Sequence, residues 1–142
     1  MFSIPSQQRT APKELIHLAK IQANDILTNI RGIDYIMLCS TDGFELASVY
    51  KKNPYNSTKL AAVSSSILAM VSAFLKEIQL TGCQSITLDA ENGKVFLTAV
   101  DHPHHPMVIV AVTNKDILMG QMLYYYKELS ARLSSAPLSL AS

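Results

Sequence analysis

The chain has 142 residues, of which 49% are hydrophobic and 16% charged, and its formal net charge is +1. This length suits one domain with one ordinary core, and the apolar composition argues against disorder. Because the charge is nearly balanced, we expect no nucleic-acid partner. The two cysteines lack CxxC spacing and the N-terminus lacks the apolar region of a signal peptide, which favours a soluble cytoplasmic protein.

Residues 1–9 are expected to form a flexible N-terminal tail, residues 10–134 a single domain, and residues 135–142 a flexible C-terminal tail. A first helix is predicted from an N-cap at Thr10 to about Asn29, with Gly32 as a left-handed C-cap. Its buried face repeats at helical spacing, through Leu15, Leu18, Ala19, Gln22, Ile26 and Ile30.

The next two segments predict a β-hairpin. Residues 33–39 are apolar on both faces, which indicates a central strand. Asp42 and Gly43 favour a type I′ turn, because both residue types accept positive φ. The partner strand, residues 44–50, is interrupted by polar side chains, so we expect it at a sheet edge.

A long apolar helix is predicted over residues 58–80, with Asn56 or Ser57 as its cap and no charge between Lys59 and Lys76. Its large apolar residues form one stripe, which we expect to face the core: Leu60, Val63, Ile67, Met70, Val71, Phe74 and Ile78. The opposite flank is small: Ala62, Ser65, Ser66, Ala69, Ser72 and Ala73. An ordinary surface helix carries charges on such a flank, so this second face points to a partner.

Three interpretations of this helix compete. A membrane span needs roughly 18 or more apolar residues, whereas this uncharged run is shorter and contains four serines, so we expect no membrane insertion. The second interpretation is a fully buried core helix in a monomer. The interpretation that we favour is a helix that packs on a sheet and, through its small flank, on a copy of itself, since small residues let two backbones approach closely.

The rest of the chain predicts a β-meander and a final helix. Three further strands are expected, with a hairpin turn between the first two: residues 83–89, 94–100 and 107–113. The last of these strands is apolar without alternation, which indicates a second central strand. The final helix is expected to be capped by Asn114, with Asp116 in its first turn, and to run to about Ser134.

These elements predict an α/β (α+β) domain of order α-β-β-α-β-β-β-α with helices on both faces of the sheet. Placing the two central strands side by side gives a five-stranded antiparallel sheet of order 2-1-5-4-3, in which strand 3 is a free edge. A free edge beside a helix with a small second face is a route to a symmetric dimer. The predicted interface comprises Ala62, Ser65, Ser66, Ala69, Ser72, Ala73, Ser85, Ile86, Thr87 and Leu88.

Motifs of catalysis do not occur in the sequence. It has no GxxxxGK[ST] loop, no GxSxG elbow and no HExxH, so we predict a protein that is not an enzyme and holds no cofactor. His102, His104 and His105 are weak candidate metal ligands, because prolines constrain their loop and no further ligand is near in sequence; we therefore expect no functional metal site. The three rings could still titrate near pH 6.5 and tune a partner surface.

Two other features invite functional interpretations. Arg31 could act as an arginine finger, although a position at a helix C-terminus explains it more simply. Of Tyr124, Tyr125 and Tyr126, at most two can face the core, and an exposed ring is a candidate contact anchor.

The order of these pieces resembles the roadblock / dynein light chain family. The resemblance rests on the segments DGFELAS, LAAVSSSILAMVSAFL, GCQSITLDAENGKVFLTAV and VIVAVTNKDILMGQM, and it covers about residues 12–134. It implies a profilin-like fold and a homodimer that serves as a platform for a small Ras-like GTPase, as in stand-alone bacterial members. The alternative is a structural adaptor in a motor or signalling complex, without GTPase contact. The HPHHP loop and the tyrosine run depart from the family pattern.

Overall fold

The computed structural model describes residues 12–51 and 55–136. The elements in chain order are α1 (Lys13–Asn29), β1 (Ile33–Ser40), β2 (Glu45–Tyr50), α2 (Ser57–Glu77), β3 (Ser85–Ala90), β4 (Gly93–Val100), β5 (Met107–Asn114) and α3 (Met119–Ser134). The predicted order of helices and strands is confirmed. The predicted N-terminal tail, the Thr10 cap and most of the predicted C-terminal tail lie outside the described residues.

The five strands form one antiparallel sheet in the order β2-β1-β5-β4-β3, which confirms the predicted topology. The central strands β1 and β5 are buried at nearly every position, because both of their faces are covered. Strand β2 is one edge of the sheet and β3 is the other. In β3 five of six residues are exposed, so this edge lacks a cover.

Helices cover the two faces of the sheet unequally. On one face α1 and α3 pack over a large core that includes Ile36, Phe96 and Ile109. On the other face α2 alone packs over a smaller cluster that includes Met37, Leu97 and Val110. The α1 stripe is largely confirmed, since its apolar members are buried or half-buried.

The turn between β1 and β2 differs from its prediction. Gly43 has φ +94°, but Asp42 does not share a positive φ, so the type I′ turn is wrong. Instead the Gly43 N–H donates to the Ser40 carbonyl at 3.0 Å, and the Ser40 N–H donates to the Phe44 carbonyl at 2.9 Å. This is a longer loop in which only the glycine needs the left-handed region.

Two predicted helix ends are also corrected. Helix α1 ends at Asn29 with Ile30 as an extended C-cap, and Gly32, at φ +102°, follows two residues later. Asn114 is the last residue of β5 and not the cap of α3, which begins at Met119. The Asn114 side-chain oxygen accepts from the Asp116 N–H at 3.0 Å. An Asx turn and an N-cap use the same side chain, so the sequence does not distinguish them.

Candidate protein-interaction surface

Local sequence determines both ends of α2. The Asn56 side-chain oxygen accepts from the Lys59 N–H at 3.1 Å, which confirms the predicted N-cap. At the other end Gln79 takes φ +65°, and the Leu80 N–H donates to the Leu75 carbonyl at 2.8 Å, a Schellman-type closure. The helix therefore ends at Glu77, earlier than predicted, because Gln79 adopts the conformation that a glycine usually supplies.

The N-terminal end of α2 is anchored to the sheet through Tyr35. This residue is fully buried, and its hydroxyl lies 2.7 Å from the Ser57 hydroxyl and 3.3 Å from the Ser48 hydroxyl. Its ring stacks on Tyr50 at 6.3 Å and meets Tyr55 edge-on at 5.1 Å. These contacts fix where α2 enters the sheet face.

The inward side of α2 is narrow. Its buried residues are Ala61, Ser64 and Leu68, with Leu60 and Ile67 half-buried beside them on the sheet. The small side chains at Ala61 and Ser64 let the helix lie close to the strands. This inward line carries few of the large residues that the sequence assigned to the core.

The predicted core stripe of α2 is therefore wrong in part. Leu60 and Ile67 pack on the sheet and Val71 is half-buried. However, the other four residues of the stripe are exposed, with Met70 at 67% and Phe74 at 63%: Val63, Met70, Phe74 and Ile78. Apolar residues surround this helix, so no polar face defines its rotation in the sequence. Packing at Ala61 and Ser64 sets the rotation instead, and it turns four large apolar side chains to the outside.

The predicted small flank lies on the same outward surface. Ala62, Ser66, Ala69, Ser72 and Ala73 are exposed, and Ser65 is half-buried. The outward surface thus combines small residues with large apolar ones, and between Lys59 and Lys76 it carries no charge. We call this surface, from Ala62 to Phe74, the outer face of α2. Exposed apolar residues grouped in this way indicate an interaction site.

The edge strand β3 has two different sides. Ile86 lies opposite Leu97 and Leu88 opposite Val95, on the side of the sheet that α2 covers. The other side of β3 carries three exposed polar residues, Ser85, Thr87 and Asp89. Helix α2 makes its main contacts with β1, β2 and β5, and Leu88 of β3 is left 41% exposed. The apolar side of β3 is therefore open next to the outer face of α2.

A cleft of about 350 Å³ lies between the C-terminal half of α2, the segment that leads to β3, and the ends of β4 and β5. Leu68, Ser72 and the half-buried thiol of Cys83 line it. The second cysteine, Cys39, is buried in β1, and burial followed by the charge of Glu45 raises the pKa of its thiol to about 12. Such a thiol is a poor nucleophile.

The three loop histidines do not converge on a shared point. His102 is buried, and its two ring nitrogens hydrogen-bond to backbone groups of the chain. The His104 and His105 ring centroids lie 6.4 Å and 5.5 Å from that of His102. Burial, and then the charges of His102 and His104, lower the pKa of His105 from its ordinary value. Among residues 12–51 and 55–136, no group of three or more His, Cys, Asp or Glu side chains could hold a metal ion.

The tyrosine run divides between core and surface. Tyr126 is buried, while Tyr124 is 61% and Tyr125 37% exposed, so the exposed rings remain candidate contact anchors. Burial, before other causes, raises the pKa of Tyr126 well above the ordinary tyrosine value. Arg31 is exposed at the end of α1, where solvent and the helix terminus account for it.

Helix α2 meets the length and composition criteria for a membrane span, and it is the one helix in the described ranges that does. Its 21 residues reach a mean hydropathy of 1.6. The test uses length and composition alone, and one side of α2 packs on a sheet, so this result is weak evidence for a span.

The sequence profile of the Roadblock/LC7 domain matches residues 23–111. No curated protein sequence matches the chain. Gliding protein MglB from Thermus thermophilus has a similar structure, with a TM-score of 0.78 and 17% identity over 93% of this chain and 94% of that chain. A structure of MglB with a tetrameric arrangement gives 0.79 and 17% over 93% of each chain. Myxococcus xanthus MglB gives 0.70 and 15%, over 86% of this chain and 93% of that one.

Proposed function

The chain belongs to the Roadblock/LC7 domain family, and from this premise we propose that it is a non-enzymatic dimeric platform that binds and regulates a small Ras-like GTPase in the cytoplasm. The observation that carries the proposal is the open edge of β3 beside the uncharged outer face of α2. An unpaired strand edge and an exposed apolar helix face are both unfavourable in an isolated soluble domain. A second copy satisfies both at once.

The dimer forms by pairing β3 with the partner's β3 into a continuous sheet. The predicted interface residues on α2 and β3, together with Met70 and Phe74 from the outer face, then become buried. The missing charges on this face keep the desolvation cost low, and the small residues let the two helices approach closely. Self-association also agrees with the tetrameric arrangement described for one MglB structure.

Symmetry restricts how the two edges pair. Residues directly opposite in an antiparallel pair point to the same side of the sheet. The two-fold axis must therefore lie between the two copies of one residue, which then face each other. If that residue is Thr87, Ile86 lies opposite the partner's Leu88, on the apolar side. This register also places Ser85 opposite the partner's Asp89, on the polar side. We assign this register because it pairs apolar with apolar residues across the whole edge.

Regulation of the GTPase is proposed to be conformational. The chain offers no nucleotide-binding loop, and its buried Cys39 thiol is not suited to chemistry. The switch regions of a small GTPase change conformation between its GDP and GTP states. A platform that binds them more tightly in one state shifts the GTPase toward that state, without contributing a catalytic group. The dimer therefore changes nucleotide turnover through differential binding.

The test uses a purified Ras-sized protein with a GxxxxGK[ST] loop, encoded near this chain in its genome. Its affinity for the dimer is measured by calorimetry with GDP and with a non-hydrolysable GTP analogue, and its GTP hydrolysis and nucleotide release are timed with and without the dimer. We expect at least about tenfold tighter binding in one nucleotide state, about 1.4 kcal/mol. Equal affinity in both states and unchanged rates would contradict the regulatory proposal.

The register is tested by disulfide cross-linking in a Cys83→Ser background. Thr87→Cys places two thiols across the axis at Cα separations of about 4.5–5.5 Å, within disulfide range. Asp89→Cys is the matched control, because its two copies would lie about 13 Å apart along the strands. A covalent dimer from Thr87→Cys alone supports the register, whereas a dimer from Asp89→Cys alone would refute it.

The second candidate function is a structural adaptor that joins a larger complex and never contacts a GTPase. The exposed rings of Tyr124 and Tyr125, on the side of the sheet away from α2, favour it because they offer a second contact surface. The GTPase experiment separates the two functions. An adaptor dimerises in the same register but binds no GTPase in either nucleotide state.

A further inference from the structure

The loop between β4 and β5 contains a buried histidine that the proposed function does not use. The His102 side chain is 4% exposed. Its Nδ1 accepts hydrogen bonds from the backbone N–H groups of His104, at 3.2 Å, and His105, at 3.1 Å. Its Nε2 lies 3.1 Å from the Ala136 carbonyl oxygen. An acceptor nitrogen carries no proton, so the proton is on Nε2 and is donated to Ala136.

This ring connects two parts of the fold that are 34 residues apart in the chain. The loop is held from inside by the two N–H groups that converge on Nδ1. The segment that directly follows α3 is held by Nε2 through Ala136, which is buried with Leu133 in the main core. One neutral imidazole in one tautomer therefore fixes both the loop and the end of the helix.

We propose that His102 is a pH-sensitive clasp, which holds the end of α3 on the β4–β5 loop while the ring is neutral and releases it when the ring is protonated. A proton on Nδ1 converts the shared acceptor into a donor that faces two other donors. The loop must then open to remove this conflict and to hydrate the charge. Opening the loop withdraws Nε2 from Ala136, so the two ends of the clasp are released together.

The surroundings offer little to stabilise a charged ring. No carboxylate among the described residues forms an ion pair with His102. The pKa of His105, on the same loop, is lowered first by burial and then by the charges of His102 and His104. The charged and titratable groups on the loop, on the end of α3 and on the β1–β2 turn that hydrogen-bonds to Pro106 are Asp101, His104, His105, Arg132 and Asp42.

The direct test is nuclear magnetic resonance on the wild-type chain between about one pH unit above and two units below the ordinary histidine pKa of 6.5. Ring ¹⁵N shifts should report the Nε2–H tautomer of His102 at the upper end. The exchange protection of the His104 and His105 amides, corrected for intrinsic rates, should fall by up to about tenfold per pH unit once the ring titrates. Protection of the last α3 turn should fall in parallel.

Two variants separate the ends of the clasp. In His102→Asn the side-chain oxygen replaces Nδ1 as acceptor, so the loop amides stay protected while the contact with Ala136 is lost. In His102→Gln the side-chain NH₂ replaces Nε2 as donor, so the contact with Ala136 is kept while the loop amides lose their protection. Neither side chain binds a proton in this range, so each variant should lose the part of the pH dependence that comes from His102, and in a His105→Asn background protection should no longer depend on pH. His105→Asn is the matched control, because it keeps the backbone N–H that donates to Nδ1 and should keep the pH dependence.

The wild-type data decide the proposal even if both variants fail to fold. An Nδ1–H tautomer at the upper pH, or amide protection that stays constant across the range, would overturn it. A pH dependence that persists in His102→Asn in the His105→Asn background would assign the switch to another group and would also reject the clasp. The assay needs no GTPase and no dimer contact, so its outcome is independent of the proposed function.

Discussion

The Tyr126 hydroxyl donates a 2.9 Å hydrogen bond to the Phe96 carbonyl oxygen, and the two rings meet edge-to-face at 6.5 Å. One turn later the Ser130 hydroxyl donates to the Ala99 carbonyl at 3.1 Å. These two bonds place α3 over β4 and along its direction. Because α3 stands over β4, the polar side of β3 remains uncovered, and the open edge that we assign to the dimer is preserved.

Replacing Tyr126 with phenylalanine should destabilise the fold. Tyr126→Phe keeps the ring in the core but removes the bond to the Phe96 carbonyl, so we expect a loss of about 1 kcal/mol in the free energy of unfolding. Urea unfolding, monitored by circular dichroism, measures this loss of stability. The control is Tyr124→Phe, whose exposed ring should change stability by less than about 0.5 kcal/mol. Equal effects of the two substitutions would contradict the role given to the buried bond.

Gly43 should tolerate a side chain poorly. Its φ is +94°, and a Cβ there would lie 3.2 Å from the Ala62 Cα of α2. Gly43→Ala therefore combines backbone strain with a contact against a helix, and we expect a cost of about 2–3 kcal/mol. Gly82 has φ +73° but open space around a Cβ, so Gly82→Ala should cost about 1 kcal/mol. Thermal or urea unfolding gives the free energy of unfolding of both variants, and the difference between Gly43→Ala and Gly82→Ala is the cost of the contact with α2.

The topology could be predicted because it depends on patterns that the sequence carries directly. Strands β1 and β5 are apolar on both faces, which identifies them as neighbours at the centre, and Asn56 is one of the two residues expected to cap α2. The rotation of α2 was not predictable, since an apolar residue such as Met70 gives no sign of facing outward when its neighbours are apolar as well. It depends on how Ala61 fits the sheet, which is a tertiary property.

The role of His102 was beyond sequence reasoning for a different reason. Three histidines in one loop indicate metal ligands or titration, and both ideas treat the rings as equivalent. The structure distinguishes His102 because the end of α3 reaches it from 34 residues away. Asn114 shows the same limit at short range, since its side chain serves a turn at a site where a helix cap was expected.

Acid should weaken the fold through His105. Its folded-state pKa is lowered, first by burial and then by His102 and His104, so the folded chain binds this proton less readily than the unfolded chain. The stabilising contribution is therefore present above about pH 6.5 and is lost as pH falls below it. The urea midpoint should decline across this window, and His105→Gln should reduce the slope. His17→Gln, at an exposed position of α1, controls for the removal of a histidine.

A charge on the outer face of α2 should separate the dimer. Ala69 is exposed in the isolated chain, so Ala69→Glu should leave the fold intact, yet it would bury two unpaired carboxylates at the proposed two-fold contact. We expect the dissociation constant of the dimer to rise at least about 100-fold. Size-exclusion chromatography with light scattering over a dilution series measures the change.

The matched control for that experiment is Ala131→Glu, which introduces the same charge at an exposed position of α3 on the opposite side of the sheet. It should keep the dimeric mass. If Ala69→Glu also keeps it, the outer face of α2 is not the contact, and pairing at β3 alone would have to hold the two copies. If the wild-type chain is itself monomeric at every concentration, the exposed Met70 and Phe74 must serve another partner, and the platform proposal fails at its first step.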